Sequence, residues 1–531
     1  MSKRQPGSVT SLAKRVLEPR TNHGALSIQP RNMSWTLSQR LAVLLACLLF
    51  LTSVFAAEPS SSGVSKVPLD IPKNFVNVNL LRTIDLSSAI VREVTAIVVQ
   101  NVAKAPQSEY FFPVSQKADN HLAFIEASDK KSGAKLKVEQ AISDLDSMVQ
   151  FYRVVLNEPL KPEDKITINL KLVFTHILTP FPEKIPQVAK QFLAYTGNIF
   201  VSSMYDSEKQ KTIVKALPDA ILHKIHQQSI SFSPQIRLPT STVVTYTDNQ
   251  GAVSKSGNML NYGPFPNVPA NSHIELYVHY ENTKPILTFS SVRRELEVSH
   301  WGENLAVEEH FVLKHDGAKL KGQFSRLEFQ QSLYAHPQTN VLKSLVFSLP
   351  AGARDPYYRD EIGNVSTSNF RTNARKSTLE LRPRYPLFGG WNYTWYHGYN
   401  VPLQGFLKTK EEKYVLNVPF LEAIKNATVD KAIVKVVLPE GATNVKVSLP
   451  FTVDAETHTK HFTYLDTTGR YTVVLQKHNL VDEHVQNFQI EYEYPSFELY
   501  RKPLSASAAF LSLFVISALV SKLEFKIGGK N

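Results

Sequence analysis

Strict alternation of apolar and polar residues runs through Lys165-Ile-Thr-Ile-Asn-Leu-Lys-Leu-Val-Phe-Thr175. Successive side chains of a β-strand point to opposite faces, so this period predicts a strand with one buried face. The same period returns at His273–Tyr280 and at four later segments: Ala432–Leu438, Asn444–Leu449, Tyr471–Leu475 and Phe488–Tyr494. The sequence therefore predicts a mainly β protein, built from antiparallel β-sandwich-like domains.

Two features modify this β pattern. Pro186–Ala220 is less regular, so we expect some helix in the first half, with Ser207–Lys211 as exposed turns. The pattern Leu-Pro-x-Gly-Ala closes an apolar segment at Leu349–Ala353 and again at Leu438–Ala442. Pro cannot continue a central ladder and Gly suits a turn, so both copies are predicted strand exits.

An apolar run near the start of the chain predicts a secretory signal. The run, Leu41 to Phe55, follows Arg40 and ends in small residues, as signal peptides do. We predict cleavage after Ala56, and translation from Met1 or from Met33, which lies just ahead of the run. The basic segment before the run also resembles an organelle transit peptide, which stays as the alternative.

A second apolar run, Pro503 to Ser521, has nineteen uncharged residues between Arg501-Lys502 and Lys522. As a helix it would measure about 28 Å, close to the hydrocarbon thickness of a bilayer. We predict a single transmembrane helix. A buried core helix fits poorly with basic residues at both ends, and the polar, basic residues that follow disfavour a GPI signal.

The two runs together predict a single-pass type I protein with its bulk in the lumen. The 446 residues between them are enough for two domains with a core each. The predicted order is a leader with signal peptide (1–56), luminal domain 1 (57–283), luminal domain 2 (284–502), the transmembrane helix (503–521) and a cytosolic tail (522–531).

Charge and cysteine content exclude several classes of protein. Residues 1–56 hold seven Lys or Arg and one Glu, so they carry half of the formal net charge of +12. The mild excess that remains gives no footprint for nucleic-acid binding. The one cysteine, Cys47, lies in the predicted signal, so the mature chain would have no disulfide, no thiol nucleophile and no Cys-ligated zinc.

The titratable residues do not show the spacing of an active site. Asp144-Leu-Asp146 has the carboxylate spacing that some sugar-nucleotide transferases use for a divalent ion, but such a triplet arises easily by chance. His300, His310 and His315 surround Glu308-Glu309 without the i, i+4 pair that places two imidazoles on one helix face. We therefore predict no catalytic residue, no cofactor and no metal site.

Three glycosylation acceptors lie close together in the second half: Asn364-Val-Ser366, Asn392-Tyr-Thr394 and Asn426-Ala-Thr428. None has Pro at the middle position, so each suits N-linked glycosylation in a luminal domain. We predict that at least one of the three carries a glycan.

The densest aromatic cluster of the chain is Trp391-Asn-Tyr-Thr-Trp-Tyr-His-Gly-Tyr399. Aromatic faces can stack on sugar rings or on an extended peptide. Four residues are therefore candidates for contact with a substrate or partner: Trp391, Tyr393, Trp395 and Tyr396. The alternative is an aromatic segment packed at a domain edge. Residues 386–406 contain no Asp or Glu, so the cluster itself has no carboxylate for acid–base catalysis.

Several long segments resemble the ribophorin I family, and they span nearly the whole predicted luminal part. They are Tyr205–Lys211, Glu297–Gly302, Ala306–Glu309, Lys319–Arg326, Tyr357–Ser366, Arg382–Trp391, Leu438–Ala442 and Thr463–Asp466.

The resemblance implies an endoplasmic-reticulum membrane protein of the oligosaccharyltransferase complex. That complex moves a preassembled oligosaccharide from dolichyl diphosphate to Asn of Asn-x-Ser/Thr in nascent proteins. The chain would be a non-catalytic accessory subunit without a cofactor, and its partners would be a multi-spanning catalytic subunit, other subunits and nascent polypeptide. The alternatives are a free-standing luminal receptor for carbohydrate or peptide and a membrane-anchored glycosyltransferase or hydrolase.

Overall fold

A computed structural model describes residues 73–141, 149–215, 243–248, 253–256, 259–335, 340–373, 375–422, 424–463 and 466–523. The predicted leader, Asp144-Leu-Asp146 and all but the first two residues of the predicted tail lie outside these ranges. Strands dominate the described residues, which confirms the mainly β class.

The first half contains two sheets. Its strands are β1 (Phe75–Asp85), β2 (Val91–Asn101), β3 (Gln107–Ser115), β4 (Leu122–Asp129), β5 (Lys135–Ala141), β6 (Val149–Leu160), β7 (Lys165–Phe174), β8 (Thr179–Pro180), β9 (Lys184–Ile185), β10 (Phe192–Asn198), β11 (Ser207–Lys215), β12 (Val243–Tyr246), β13 (Val253–Ser256), β14 (Met259–Val268) and β15 (Glu275–Glu281). One sheet has the order β13-β14-β11-β1-β2-β7-β4-β5-β6-β3, and the other has the order β12-β15-β10-β8. A one-turn helix, α1 (Gln116–Asp119), follows β3.

The second half contains three further sheets. Its strands are β16 (Leu287–Ser299), β17 (Asn304–His315), β18 (Lys319–Leu320), β19 (Leu345–Leu349), β20 (Arg354–Asp360), β21 (Ser368–Thr372), β22 (Ser377–Leu381), β23 (Asn392–Pro402), β24 (Leu407–Lys410), β25 (Lys413–Pro419), β26 (Thr428–Glu440), β27 (Thr443–Ser448), β28 (Ala455–His461), β29 (Arg470–Leu480) and β30 (Asn487–Glu493). The sheet orders are β20-β23-β17-β16-β26-β29-β28, β19-β22-β21 and β24-β25-β30-β27, while β18 pairs with β9 of the first half. The helices are α2 (Arg326–Ala335) and α3 (Arg501–Lys522).

The ladders are antiparallel except at β1·β11, β16·β26 and the short β9·β18 pair, which are parallel. The expectation of exposed turns at Ser207–Lys211 is wrong, because these residues begin β11, between β1 and β14. Ser207, Gln210 and Thr212 are buried there. Polar side chains thus occupy inward positions of an inner strand, which hides its period in the sequence.

Both Leu-Pro-x-Gly-Ala segments end a strand, as predicted. β19 ends at Leu349 and β26 ends at Glu440. The glycines that follow, Gly352 and Gly441, have φ values of 80° and 96°, which residues with a Cβ rarely adopt. Each of these two strands is therefore followed by a turn that contains a glycine with positive φ.

Buried apolar side chains form two large clusters that divide the chain near residue 286. One cluster extends from Phe75 to Ile286 and the other from Leu287 to Tyr494. A small third cluster joins the halves, since Ile90 and Val173 pack there with Val481. The two cores support our proposal of a domain boundary at 283/284.

The predicted transmembrane stretch forms α3. No residue of α3 is buried within the chain. Together with the 3₁₀ turn Ser496–Tyr500 before it, the helix is long and apolar enough to cross a membrane. The predicted helix is confirmed, and its exposure is incompatible with a role as a core helix.

Candidate functional site

β23 carries most of the predicted aromatic cluster, and the alternation of the strand sends its side chains to two faces. Tyr393 and Trp395 point into the core and are 5% and 2% exposed. This burial places both rings out of reach of a partner. Tyr396 points outward and is half-buried. Trp391, just before the strand, is also half-buried and packs against Phe388 with ring centroids 5.4 Å apart.

A shallow surface pocket of about 410 Å³ opens beside Tyr396. We call its lining the Tyr396 patch: Glu308, His310, Tyr357, Arg359 and Tyr396. The His310 ring stacks on the Tyr396 ring at 5.0 Å, and Tyr357 meets Tyr396 edge-on at 6.3 Å. The patch thus combines aromatic faces with a guanidinium and a carboxylate. Such groups stack on planar or ring-shaped ligands and bond to their polar atoms.

The carboxylate of the patch is held ionised. The Tyr357 hydroxyl donates to Glu308 Oε2, and His310 Nε2 lies 2.8 Å from Glu308 Oε1. Burial raises the pKa of Glu308, but these two partners outweigh it and leave the pKa below its usual value. Glu308 is therefore suited to accept hydrogen bonds at neutral pH and unsuited to act as a general acid.

Arg359 connects the patch to the first predicted sequon. Its Nε donates to Asn364 Oδ1 at 2.8 Å, and its Nη1 donates to the Tyr396 hydroxyl at 3.4 Å. Asn364 is exposed. A glycan on Asn364 would therefore start beside the Tyr396 patch.

The other two sequons differ in accessibility. Asn392 is exposed at the start of β23. Asn426 is half-buried, and its Oδ1 accepts from Arg92 Nη1 at 3.3 Å. Thr428, the third residue of that sequon, is 3% exposed. The structure thus ties the Asn426 sequon into the contact between the two halves.

A group of buried polar side chains lies on the inner face of the seven-stranded sheet. We call it the Arg294 cluster: Arg294 from β16, Glu309 from β17, His397 and Tyr399 from β23, and Glu422 from the connection before β26. Arg294 Nη1 donates to Glu309 Oε1 and lies 3.7 Å from Glu422 Oε1. The Tyr399 hydroxyl donates to Glu422 Oε1.

The pKa values of the two carboxyl groups in this cluster are shifted in opposite directions. Burial raises the pKa of Glu309, but Arg294 and His397 outweigh burial and hold that pKa to about 2. Burial and the neighbouring Glu309 charge raise the pKa of Glu422. The pair therefore favours an ionised Glu309 beside Arg294 and a proton on Glu422.

Three atoms of the cluster could face one cation. Glu309 Oε2, His397 Nε2 and Glu422 Oε2 lie within 4.8 Å of one another, with His397 Nε2 3.4 Å from Glu309 Oε2 and 3.9 Å from Glu422 Oε2. However, Nε2 carries a proton in either state of the His397 ring. Burial lowers the pKa of His397, but Glu309 and Glu422 outweigh burial and raise that pKa to about 9, and in a neutral ring Trp395 Nε1 donates to Nδ1 at 3.3 Å, which leaves the proton on Nε2. Arg294 already supplies a permanent positive charge. The cluster therefore fits an internal ion network better than a metal site.

The three histidines around Glu308-Glu309 do not converge. His300 Nε2 lies 2.7 Å from the Tyr492 hydroxyl, and His315 Nε2 lies 2.8 Å from the Asn340 carbonyl oxygen. His310 is on the outer face with the Tyr396 patch. Neighbouring residues of β17 alternate between the faces, so this sequence cluster is divided in space.

Part of the Arg294 cluster has a signal in the sequence. Arg294 occupies an inward position of β16, in a row with Val292 and Leu296. Glu309 likewise interrupts an apolar row of β17. A charge in such a row predicts a buried partner of opposite charge. Glu422 lies outside any regular strand, so no period indicates it.

Comparison with known proteins identifies the family. The ribophorin I family model matches residues 75–521. The chain belongs to the ribophorin I family. This match covers both halves and most of α3, and it confirms the resemblance seen in the sequence.

Three curated relatives of this family cover most of the chain. "Dolichyl-diphosphooligosaccharide--protein glycosyltransferase subunit 1" of Caenorhabditis elegans is 38% identical over 85% of this chain and 72% of its own length. Subunit 1B of Oryza sativa subsp. japonica is 34% identical, over 84% of this chain and 91% of its own. Subunit 1B of Arabidopsis thaliana is also 34% identical, over 85% and 93%.

Among solved structures, an M1 zinc metallopeptidase from Deinococcus radiodurans aligns with 38% of this chain and 42% of its own, at 13% identity. The TM-score of 0.24 is too low to bear on fold or chemistry.

Proposed function

We propose that this chain is a non-catalytic accessory subunit of the oligosaccharyltransferase complex. The complex transfers a preassembled oligosaccharide from dolichyl diphosphate to Asn of Asn-x-Ser/Thr in nascent proteins. The observation that carries the proposal is the family match over residues 75–521, together with relatives named as subunit 1 of this glycosyltransferase. The Arg294 cluster supports an accessory role, because its carboxylates are buried where no substrate can reach them.

The proposed topology is type I in the endoplasmic-reticulum membrane. α3 crosses the bilayer, the two β halves lie in the lumen, and residues 522–531 face the cytosol. The length and apolar composition of α3 and the luminal character of the three sequons support this arrangement. A multi-spanning catalytic subunit, other subunits of the complex and nascent polypeptide are the proposed partners.

We assign contact with nascent polypeptide to the Tyr396 patch. Tyr396 and Tyr357 offer aromatic faces, while Arg359 and Glu308 can bond the polar groups of an extended chain. Trp391, directly before β23, remains a second, half-buried candidate. To guide or retain the acceptor segment, the patch needs only to bind it and does not need a catalytic group.

Purification tests the subunit assignment. A tagged full-length chain, extracted in mild detergent, should bring down a multi-spanning partner and transfer activity on an Asn-x-Thr peptide. The chain freed of its partners should show no transfer. Transfer by the isolated chain would overturn the accessory role, and purification of the chain alone would favour the receptor alternative.

Photo-crosslinking tests the contact. A benzophenone amino acid at position 396 should crosslink to nascent polypeptide during translation into microsomes. The matched control is position 346, since Val346 is 59% exposed on β19, which belongs to a different sheet from the β23 strand of Tyr396. Equal crosslinking at both positions, or none at position 396, would contradict the assignment to the patch while leaving the subunit role intact.

A further inference from the structure

Several strands of the seven-stranded sheet terminate at the same end of the sheet. We call this row of strand ends the edge. Ser299 of β16 is paired with Asn304 of β17, and Glu440 of β26 is paired with Arg470 of β29. β16 and β26 are parallel neighbours, so these ends lie side by side. The β16–β17 turn and the chain that leaves β28 at His461 therefore project from one edge of the sheet.

α3 begins at this same edge and is fastened to it. Lys502 Nζ lies 2.7 Å from Asp466 Oδ1, and Arg501 Nη1 donates to Thr468 Oγ1 at 3.3 Å. Burial raises the pKa of Asp466, yet Lys502 and its other partners hold that pKa to about 2. The pair therefore stays ionised at neutral pH, and the edge and the helix base are held together.

Exposed aromatic side chains gather around this junction. Trp301, Phe462, Phe497 and Tyr500 are 78%, 63%, 69% and 65% exposed, and we call them the aromatic rim. Among the large apolar residues exposed in the described part of the chain before α3, the remaining aromatic ones are Phe181 and Tyr385. Most exposed rings of the β body thus surround the base of one helix.

Trp301 reaches the helix base from a distant part of the chain. It lines a cavity of about 70 Å³ together with Leu499, Arg501 and Lys502. The uncharged run of α3 starts at Pro503, so Tyr500 lies about 5 Å from the start of the hydrocarbon region. That distance is within the headgroup layer of a bilayer.

We propose that the aromatic rim inserts into the headgroup layer of the membrane that α3 crosses. Trp and Tyr rings have an apolar body and a polar edge, and they are enriched at this depth in membrane proteins. The proposal rests on the membrane crossing of the proposed function. Trp301 in the β16–β17 turn and Phe462 in the β28–β29 connection would contact the bilayer in addition to α3. These contacts would fix the tilt of the luminal body on the membrane.

Site-directed spin labelling tests the depth of the rim. Cys47 is the one cysteine and lies in the predicted signal, so the mature chain accepts a single label after Trp301→Cys or Phe462→Cys. The matched control is Ile362→Cys, because Ile362 is at least as exposed as Trp301, at 81%. Ile362 lies beside Asp360, which pairs with Trp395 within β23, away from the edge that carries Trp301. The labelled complex in phosphatidylcholine nanodiscs is measured for accessibility to oxygen and to a water-soluble nickel chelate.

We expect the oxygen-to-nickel accessibility ratio to be several-fold higher at positions 301 and 462 than at position 362. A ratio equal to that of position 362 would place the rim in water and overturn the proposal. Labels that neither reagent reaches would show a protein partner on the rim, which also overturns it. A Leu511→Cys label checks α3, and a water-like ratio there would refute the membrane crossing together with the rim.

Discussion

The Arg92 guanidinium and the Glu483 carboxylate meet across the contact between the two halves, with Nε and Oε1 3.0 Å apart. Arg92 Nη2 also donates to Asp482 Oδ2 at 2.8 Å, and Lys171 Nζ lies 3.1 Å from Glu483 Oε1. The side chains of Arg92 and Glu483 are only 17% and 10% exposed, so water screens this network weakly.

Removing the cation should loosen the contact between the halves. We expect Arg92→Met to lower the free energy of unfolding by about 2 kcal/mol, below the ~3–5 kcal/mol of a fully buried pair. Arg153→Met is the control, because the ion pairs of Arg153 with Glu109 and Glu139 are open to solvent and should contribute little. Urea unfolding followed by far-ultraviolet circular dichroism, which reports the strands of both halves, measures both variants, and equal losses would contradict the prediction.

The His484 ring should make the protein sensitive to acid. It meets Phe124 of the first half and Phe451 of the second half edge-on, at 5.5 and 5.0 Å. Burial, assisted by Lys477, lowers the pKa of His484 to about 4. The imidazole of the unfolded chain keeps a pKa of about 6.5, so the unfolded state binds more protons between these two values. The free energy of unfolding should therefore fall as the pH drops from 6.5 to 4, by up to about 1.4 kcal/mol per pH unit.

The variant His484→Phe keeps an aromatic ring and removes the titration, so its stability should depend less steeply on pH in this range. Part of the slope should persist, because burial also lowers the pKa of His300 to about 4. Melting temperatures between pH 4 and 7 give the two slopes. Parallel curves for the wild type and the variant would refute the role of His484.

The two glutamates of the Arg294 cluster should tolerate neutralisation differently. Glu309→Gln removes the ionised partner of the buried Arg294 charge and leaves it only Glu422 at 3.7 Å, so it should cost about 3 kcal/mol. Glu422→Gln replaces a carboxyl that already favours its protonated form, so the cost should be about 1 kcal/mol. Chemical unfolding of the two isosteric variants compares them directly. Equal losses would mean that both carboxylates are ionised in the folded protein.

The strand period predicted well where one face of a strand is apolar. The predicted strand Lys165–Thr175 contains β7, and His273–Tyr280 contains most of β15. β11 was missed because it pairs on both sides and buries polar side chains at Ser207 and Gln210. Local alternation reports burial by apolar side chains, and it carries no information on which strands become neighbours.

For the site residues, too, the sequence predicted local features but not the contacts that depend on strand direction and pairing. Sequence alone located the aromatic segment of β23, but only the strand direction separates Tyr396, outside, from Trp395, inside. The pairing of Arg294 with Glu309 depends on the β16·β17 register. The approach of Trp301 to Lys502 depends on the packing of α3 at a sheet edge, which lies outside the reach of short-range patterns.

The three sequons should differ in occupancy in the folded protein. Asn364 and Asn392 are exposed, so a glycan on either extends into solvent. Asn426 is held by Arg92 and by a backbone N–H bond to Asp482 at 3.1 Å, in the contact between the halves. A glycan there would have to displace packed groups, which disfavours it in the native state.

We expect glycans on Asn364 and Asn392, and an unmodified Asn426. Enzymatic deglycosylation in heavy-oxygen water, followed by mass spectrometry of the peptides, reads each position separately. Asn426→Gln should leave the electrophoretic mobility unchanged, whereas Asn364→Gln and Asn392→Gln should each remove the mass of one glycan. Heavy-oxygen label on Asn426 in folded, complex-bound protein would contradict the argument, because it would require a sugar at a half-buried Asn bonded to Arg92.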